Sequence, residues 1–197
     1  MSKATLRTFI AYVEDLPGVL NRVTSLLRRR NYNIVSLTVG RTERDGVSRM
    51  TVVVEADEDA ARRIEANLYK LVNVLFVEDT THTATMIREL ALVKVRADAT
   101  SRSEVMRLCD VFRARVVDVG PEALVAEITG AEDKIDGLVD VLRPFGIIEM
   151  VRTGAIAMVR SAEAASDAGK MSMSVPPPPP SPPGSPSGPP SGSVKAA

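Results

Sequence analysis

The sequence predicts an α+β chain built from two successive β-α-β-β-α-β units, followed by a proline-rich tail. Three observations carry this prediction. Short runs of alternating or continuous apolar residues are interleaved with longer runs whose apolar residues recur every three to four positions. That order occurs twice between Thr5 and Arg160. From about Met171 the composition changes abruptly to Pro, Ser and Gly.

Leu6 to Val13 is apolar on both faces and reads as a strand central in its sheet. Glu14-Asp15-Leu16-Pro17-Gly18-Val19-Leu20 follows as a tight acidic turn leading into a helix. Pro17 suits a helix start, where its missing N–H would have no intrahelical partner. Gly18 has no Cβ, so its backbone can approach another group closely. The amides of Gly18, Val19 and Leu20 are expected to point outward at the positive end of the helix dipole, a place that holds carboxylates and phosphates. An ordinary turn capped by Asp15 or by water fits the same residues. The helix carries Leu20, Val23 and Leu27 on one stripe, with Val19 and Leu26 flanking it. Arg28-Arg29-Arg30 closes it, as a solvated last turn or as a partner-binding patch.

Asn31-Tyr32-Asn33 turns the chain. Ile34 to Arg41 alternates, with Val35, Leu37 and Val39 expected on one face. Asp45-Gly46 marks a hairpin, and Ser48 to Ala56 returns with Met50, Val52 and Val54 inward. Asp57-Glu58-Asp59 opens a second helix with the stripe Ala61, Ile64, Leu68, Leu71. Asn73 ends it, and Val74 to Val77 is the last strand. This is the ferredoxin-like split βαβ order, which places both helices on one face of an antiparallel sheet. Nothing in the unit covers the other face although the central strand is apolar there, so a homodimer is expected.

A polar, Thr-rich linker spans 80–88 and holds the only histidine, His82, expected as a solvated side chain. It separates a first domain at 5–79 from a second at 89–160. In the second, Glu89 to Val95 is a strand, and Ser101-Arg102-Ser103-Glu104 has the form of a capping box. Val105, Leu108, Cys109 and Phe112 share a helical stripe, which makes Cys109 a small core residue. Arg115 to Val119 and Leu124 to Thr129 are strands around Gly120-Pro121. A helix with Ile135, Leu138, Val139 and Leu142 runs to Pro144-Phe145-Gly146. Ile147 to Arg152 closes the unit, and Ile156 to Val159 extends or covers a sheet. The loop Asp98-Ala99-Thr100 has no counterpart of Pro17-Gly18. The segment 161–197, with Pro176 to Pro180, is expected to be disordered, either dispensable or a docking ligand for a proline-binding module.

Composition narrows the function. Lys+Arg and Asp+Glu are equal at 25 each, so there is no basic footprint for nucleic acid. No apolar run approaches the roughly 20 residues that span a bilayer. One Cys gives neither an intramolecular disulfide nor a Cys-based zinc site and fits a reducing cytoplasm. No catalytic triad, metal-ligand spacing or phosphate loop stands in the sequence. A ligand-binding regulatory module is easier to build from these residues than an enzyme.

The residues also carry a resemblance. Asp15-Leu16-Pro17-Gly18-Val19-Leu20, Asn31 to Val39, Ser48-Arg49-Met50-Thr51 and Leu68 to Val74 together resemble the small, regulatory subunit of acetolactate synthase (acetohydroxyacid synthase). Arg88 to Val95 and Phe112 to Val119 resemble the second domain of that family. The resemblance implies an N-terminal ACT domain that dimerises and binds a branched-chain amino acid, usually valine, at the interface, followed by an ACT-like C-terminal domain. It implies a catalytic large subunit as partner, using thiamine diphosphate, Mg²⁺ and FAD to condense pyruvate with pyruvate or 2-oxobutyrate. The chain itself would be non-catalytic, raising that activity and conferring feedback inhibition. The implied ligand residues are Asp15, Leu16, Pro17, Gly18, Val19 and Leu20, with Asn33 and Ile34 facing them from the other protomer. Some members have Asn in place of Asp15, whose carboxylate would cap the loop or receive the ligand ammonium. A free-standing ACT-domain sensor acting on another enzyme or a transcription factor is the alternative.

Overall fold

The apolar patterning places each strand. In the computed structural model, which describes residues 4–161, the first unit runs β1 (Thr5–Glu14), α1 (Val19–Arg29), β2 (Ile34–Arg41), β3 (Val47–Ala56), α2 (Glu58–Leu68) and β4 (Val74–Asp79). Its antiparallel sheet has the order β2-β3-β1-β4. The doubly apolar β1 is therefore central. Phe9, Ala11 and Val13 of β1 pack with Met50, Val52 and Val54 of β3 under Val23 and Leu27 of α1 and Ile64 and Leu68 of α2.

Strand β2 departs from simple alternation. The pairing shifts between Ile34 and Ser36, so Val35 sits in a bulge and is exposed. Ile34 and Leu37 face the core, while Val39 is exposed at the sheet edge. Of the three residues expected to share one face of β2, only Leu37 packs against the core. Helix α2 ends at Leu68, and residues 69–73 form a turn rather than a further helical turn.

The second unit comprises β5 (Thr85–Arg96), α3 (Arg102–Val111), β6 (Arg115–Val119), β7 (Ala123–Gly130), α4 (Glu132–Leu142), a short 3₁₀ turn (Arg143–Phe145), β8 (Ile147–Arg152) and β9 (Ile156–Val159). Its sheet order is β6-β7-β5-β8, a second βαββαβ arrangement. Cys109 is fully buried in its core, and burial pushes its thiol pKa up, as suits a small core residue. Both repeats stop their first helix in the same way. Asn31 and Arg113 adopt left-handed φ values of 59° and 54°. Tyr32 N–H then reaches Leu27 O at 3.1 Å and Ala114 N–H reaches Cys109 O at 2.8 Å, the Schellman pattern.

Three expectations change here. The segment expected as a linker over 80–88 overlaps β5, whose Thr85 to Arg88 pair with β9. At 12 residues β5 spans about 40 Å and serves both units. The β5/β9 ribbon lies across the face of the first sheet that was expected to be bare. Ile10 and Thr51 on that face are buried. A cavity of about 580 Å³ separates them from Met86 and Met158. This covering removes the bare face as a reason for dimerisation, but the outer side of edge strand β2 is unpaired among the described residues. The capping box at Ser101 does not form. Instead the Asp98 carboxylate accepts from the amides of Thr100 and Ser101 at 2.9 and 2.8 Å and from both hydroxyls, which holds its pKa well below the usual carboxylate range.

His82 is also placed by a partner that spacing could not show. It is 76% exposed, yet Arg7 Nη1 donates to its Nε2 at 2.9 Å. Arg7 itself is buried on β1 and paired with Glu58, with Asp79 at 3.6 Å. The proline-rich segment lies outside the described residues.

Candidate ligand loop

The loop between β1 and α1 is a type II turn written by its sequence. Val19 N–H reaches Leu16 O at 3.3 Å, with Pro17 and Gly18 as the two central residues. Gly18 has φ 84° and ψ −6°, the conformation that position requires and that side chains resist. Gly18 is also the N-cap of α1: its carbonyl accepts Arg22 N–H at 3.0 Å, and no side chain caps the helix. The amides of Gly18 and Leu20 have no acceptor among the described residues, whereas the Val19 amide is turned back into the loop. A Cβ built on Gly18 meets nothing within 4 Å, so the ground above the turn is open.

Asp15 does not cap. Its amide donates to Gly46 O at 2.8 Å, tying the loop to the β2–β3 hairpin. Its carboxylate lies 3.7 Å from Arg41 Nε, at the end of β2. Leu16 and Leu20 are exposed at 55% and 43%, while Val19 is buried in the core. The loop's base is fixed by a network that the spacing did not announce. Asn73, 9% exposed, donates to Glu14 Oε2 at 2.5 Å and accepts from the Arg22 guanidinium, and its carbonyl accepts Glu14 N–H at 2.9 Å. It thereby ties the last residue of β1 to the second turn of α1 on either side of the loop. No periodicity links residues this far apart in sequence, so only folding reveals it.

Asn33 and Ile34 lie elsewhere in the same chain. Ile34 pairs opposite Val54, and Val54 opposite Arg7; Glu14, beside the loop, pairs opposite Val47. The interval from Arg7 to Glu14 is roughly 23 Å of strand. Within one chain, Asn33 and the loop are at opposite ends of the sheet. In the second unit the Asp98 carboxylate takes the corresponding place, accepting from the Thr100 and Ser101 amides just ahead of α3. Among the described residues no cluster of His, Cys, Asp and Glu has the makings of a metal site, and no helix is long and apolar enough to cross a membrane.

Comparison with known proteins matches both units. A family model described as the AHAS small subunit-like ACT domain covers residues 9–76, and one described as the small subunit of acetolactate synthase covers 88–161. The chain is 46% identical over 153 residues to a probable acetolactate synthase small subunit of Archaeoglobus fulgidus, spanning 78% of this chain and 96% of that protein. It is 45% identical over 161 residues to the acetolactate synthase small subunit of Mycolicibacterium smegmatis, spanning 81% and 95%. The crystal structure of the acetolactate synthase small subunit from Thermotoga maritima superposes with a TM-score of 0.74 at 36% identity, covering 79% of this chain and 98% of that one. With an ACT unit, a second βαββαβ unit and relatives matched over nearly their whole length, this chain belongs to the acetolactate synthase small-subunit family.

Proposed function

We propose that this chain activates a catalytic large subunit of acetolactate synthase in branched-chain amino acid biosynthesis and makes it subject to inhibition by valine, with leucine and isoleucine as alternative ligands. The reading assigns residues 5–79 to the ACT domain that binds the amino acid and 89–160 to the C-terminal domain. The partner, in the cytoplasm, would carry thiamine diphosphate, Mg²⁺ and FAD; this chain would supply the sensor.

The observation that carries the ligand assignment is the uncapped α1 N-terminus on the Pro17-Gly18 turn, with open space above it. Free amides at a helix N-terminus suit a carboxylate. Gly18 and Leu20 would take the amino acid's carboxylate. Pairing with Arg41 offsets the charge of Asp15, which lessens repulsion and leaves it able to receive an ammonium. Leu16, Leu20 and Ile34 would contact the side chain. Such a surface separates ligands differing by one methylene by only about 1–3 kcal/mol.

The edge position of β2 supports a site shared by two protomers. If two copies pair antiparallel through β2, the start of one β2 lies beside the end of the other. The end of β2 is where Arg41 meets Asp15. Asn33 of the second copy would thus come to the Gly18 loop that its own chain cannot reach. The test is reconstitution: the chain is mixed with the large subunit and acetolactate formation is followed with and without valine. Stimulation together with valine inhibition supports the reading, and their absence removes it.

A further inference from the structure

Strand β2 touches more than its own sheet. Ser36 and Thr38 lie on the face away from the helices, against the Thr153-Gly154-Ala155 turn of the second unit. Ser36 Oγ accepts Ala155 N–H at 2.9 Å, and Thr38 Oγ1 donates to Thr153 O at 3.3 Å. Gly154 has φ 81°, and a Cβ on it would stand 2.5 Å from Ser36 Oγ and 3.3 Å from Thr38 Oγ1. The fit leaves no room for a side chain. On its other side the turn is anchored in the second sheet: Thr153 N–H donates to Leu90 O at 3.0 Å, and Leu90 N–H donates to Thr153 Oγ1 at 3.1 Å. Leu90 is on β5, an interior strand of that sheet.

The sequence of contacts along β2 is what matters. Asn33 and Ile34 stand at its start, Val35 is the bulge, and Ser36 is the next residue. A bulge leaves one residue out of the hydrogen-bond ladder and bends the strand there. We propose that Ser36 and Gly154 are positioning residues which transmit the state of the Asn33–Ile34 end of β2 to the second domain, through the Ser36 Oγ···Ala155 N–H contact. This rests on the regulatory reading above and assigns the route by which occupancy leaves the ACT unit. Coupling between two sites requires an element whose arrangement both sites bias. The bulge and the Ser36–Ala155 contact form such an element, with one end at the ligand residues and the other at an interior strand of the second sheet.

The experiment uses the full chain and valine, alone and with the large subunit. Ser36→Ala removes the acceptor; Ser36→Thr retains it. Expected for S36A are calorimetric valine affinity within about twofold of wild type, unchanged stimulation of the large subunit, and a half-inhibiting valine concentration raised about tenfold. S36T is expected to behave as wild type, and Gly154→Ala, which crowds the same oxygen, to behave as S36A. In the isolated chain, valine is expected to change hydrogen exchange at the Ala155 amide in wild type and not in S36A. Unaltered valine inhibition of S36A, or loss of valine binding by it, overturns the assignment. If S36A unfolds, G154A decides: undiminished inhibition with G154A overturns it. If valine binds wild type but leaves Ala155 exchange unchanged, the route falls and the regulatory reading stands. If valine gives no heat with wild type, both fall.

Discussion

Replacing Gly18 with two different residues separates backbone strain from ligand recognition. At φ 84° any L-residue is strained, and a Cβ there meets no atom within 4 Å. Gly18→Ala and Gly18→Asp therefore both incur a backbone cost, roughly 1–2 kcal/mol for Ala and less for Asp, whose short polar side chain tolerates this conformation, and the added Cβ meets no atom. For a chain of this size that lowers Tm by roughly 2–8 °C. Above the loop, one puts a methyl group and the other a carboxylate, where the ligand's own carboxylate would sit. The assay is valine titration calorimetry beside thermal melts, followed by acetolactate formation with the large subunit. G18D is expected to melt no lower than G18A, with weakened valine binding for G18A, none for G18D, and stimulation retained by both. Valine inhibition surviving in G18D at wild-type concentrations would refute the placement of the ligand at these amides.

Three further outcomes follow from the fold. Arg7, hydrogen-bonded and charged beside Glu58, holds the Glu58 carboxyl below its ordinary 4.5. The folded state thus binds fewer protons there, so this stabilisation is present above pH 4.5 and is lost as pH falls through the lowered value. Glu58→Gln should melt below wild type at pH 7, with the gap closing under acid in melts taken from pH 7 to 3. Arg113 sits at φ 54° in the helix stop of the second unit, so Arg113→Gly should raise stability by about 1 kcal/mol in urea unfolding. Cys109 is fully buried with a raised thiol pKa. A thiol reagent should label it in urea but not in native buffer, and rapid native labelling would contradict that packing.

The parts of the fold that were legible are those set by local pattern. The alternation of Met50, Val52 and Val54 and the helical stripe of Ile64 and Leu68 are direct images of burial on one face. Pro17-Gly18 was legible as well, because a type II turn demands those residue types at those positions. What escaped is governed by tertiary contact or by competition between equivalent groups. The Val35 bulge inverts an alternation that looked regular, and one inserted residue suffices to do that. At α3 the Ser101 hydroxyl is drawn off as a donor to the Asp98 carboxylate, and Glu104 N–H goes to the Ser101 carbonyl at 3.1 Å, so the capping box does not close. Asp15 carries the same chemistry but is drawn to Arg41 instead, which leaves the α1 amides without a side-chain cap. His82 and Asn73 find partners through the sheet and not through their neighbours in sequence. The β5/β9 ribbon required two distant segments to pair across the first sheet.

The central claim is a ligand site whose halves come from two chains, Gly18 from one and Asn33 from the other. Its most direct test is complementation. Gly18→Asp and Asn33→Ala chains are each purified as homodimers, then co-expressed in equal amounts, and valine binding is measured by calorimetry. Neither homodimer should bind. The mixture should show about a quarter of the wild-type sites at wild-type affinity, because random two-fold pairing leaves one intact site in each mixed dimer. A mixture as silent as its parents would contradict the shared site.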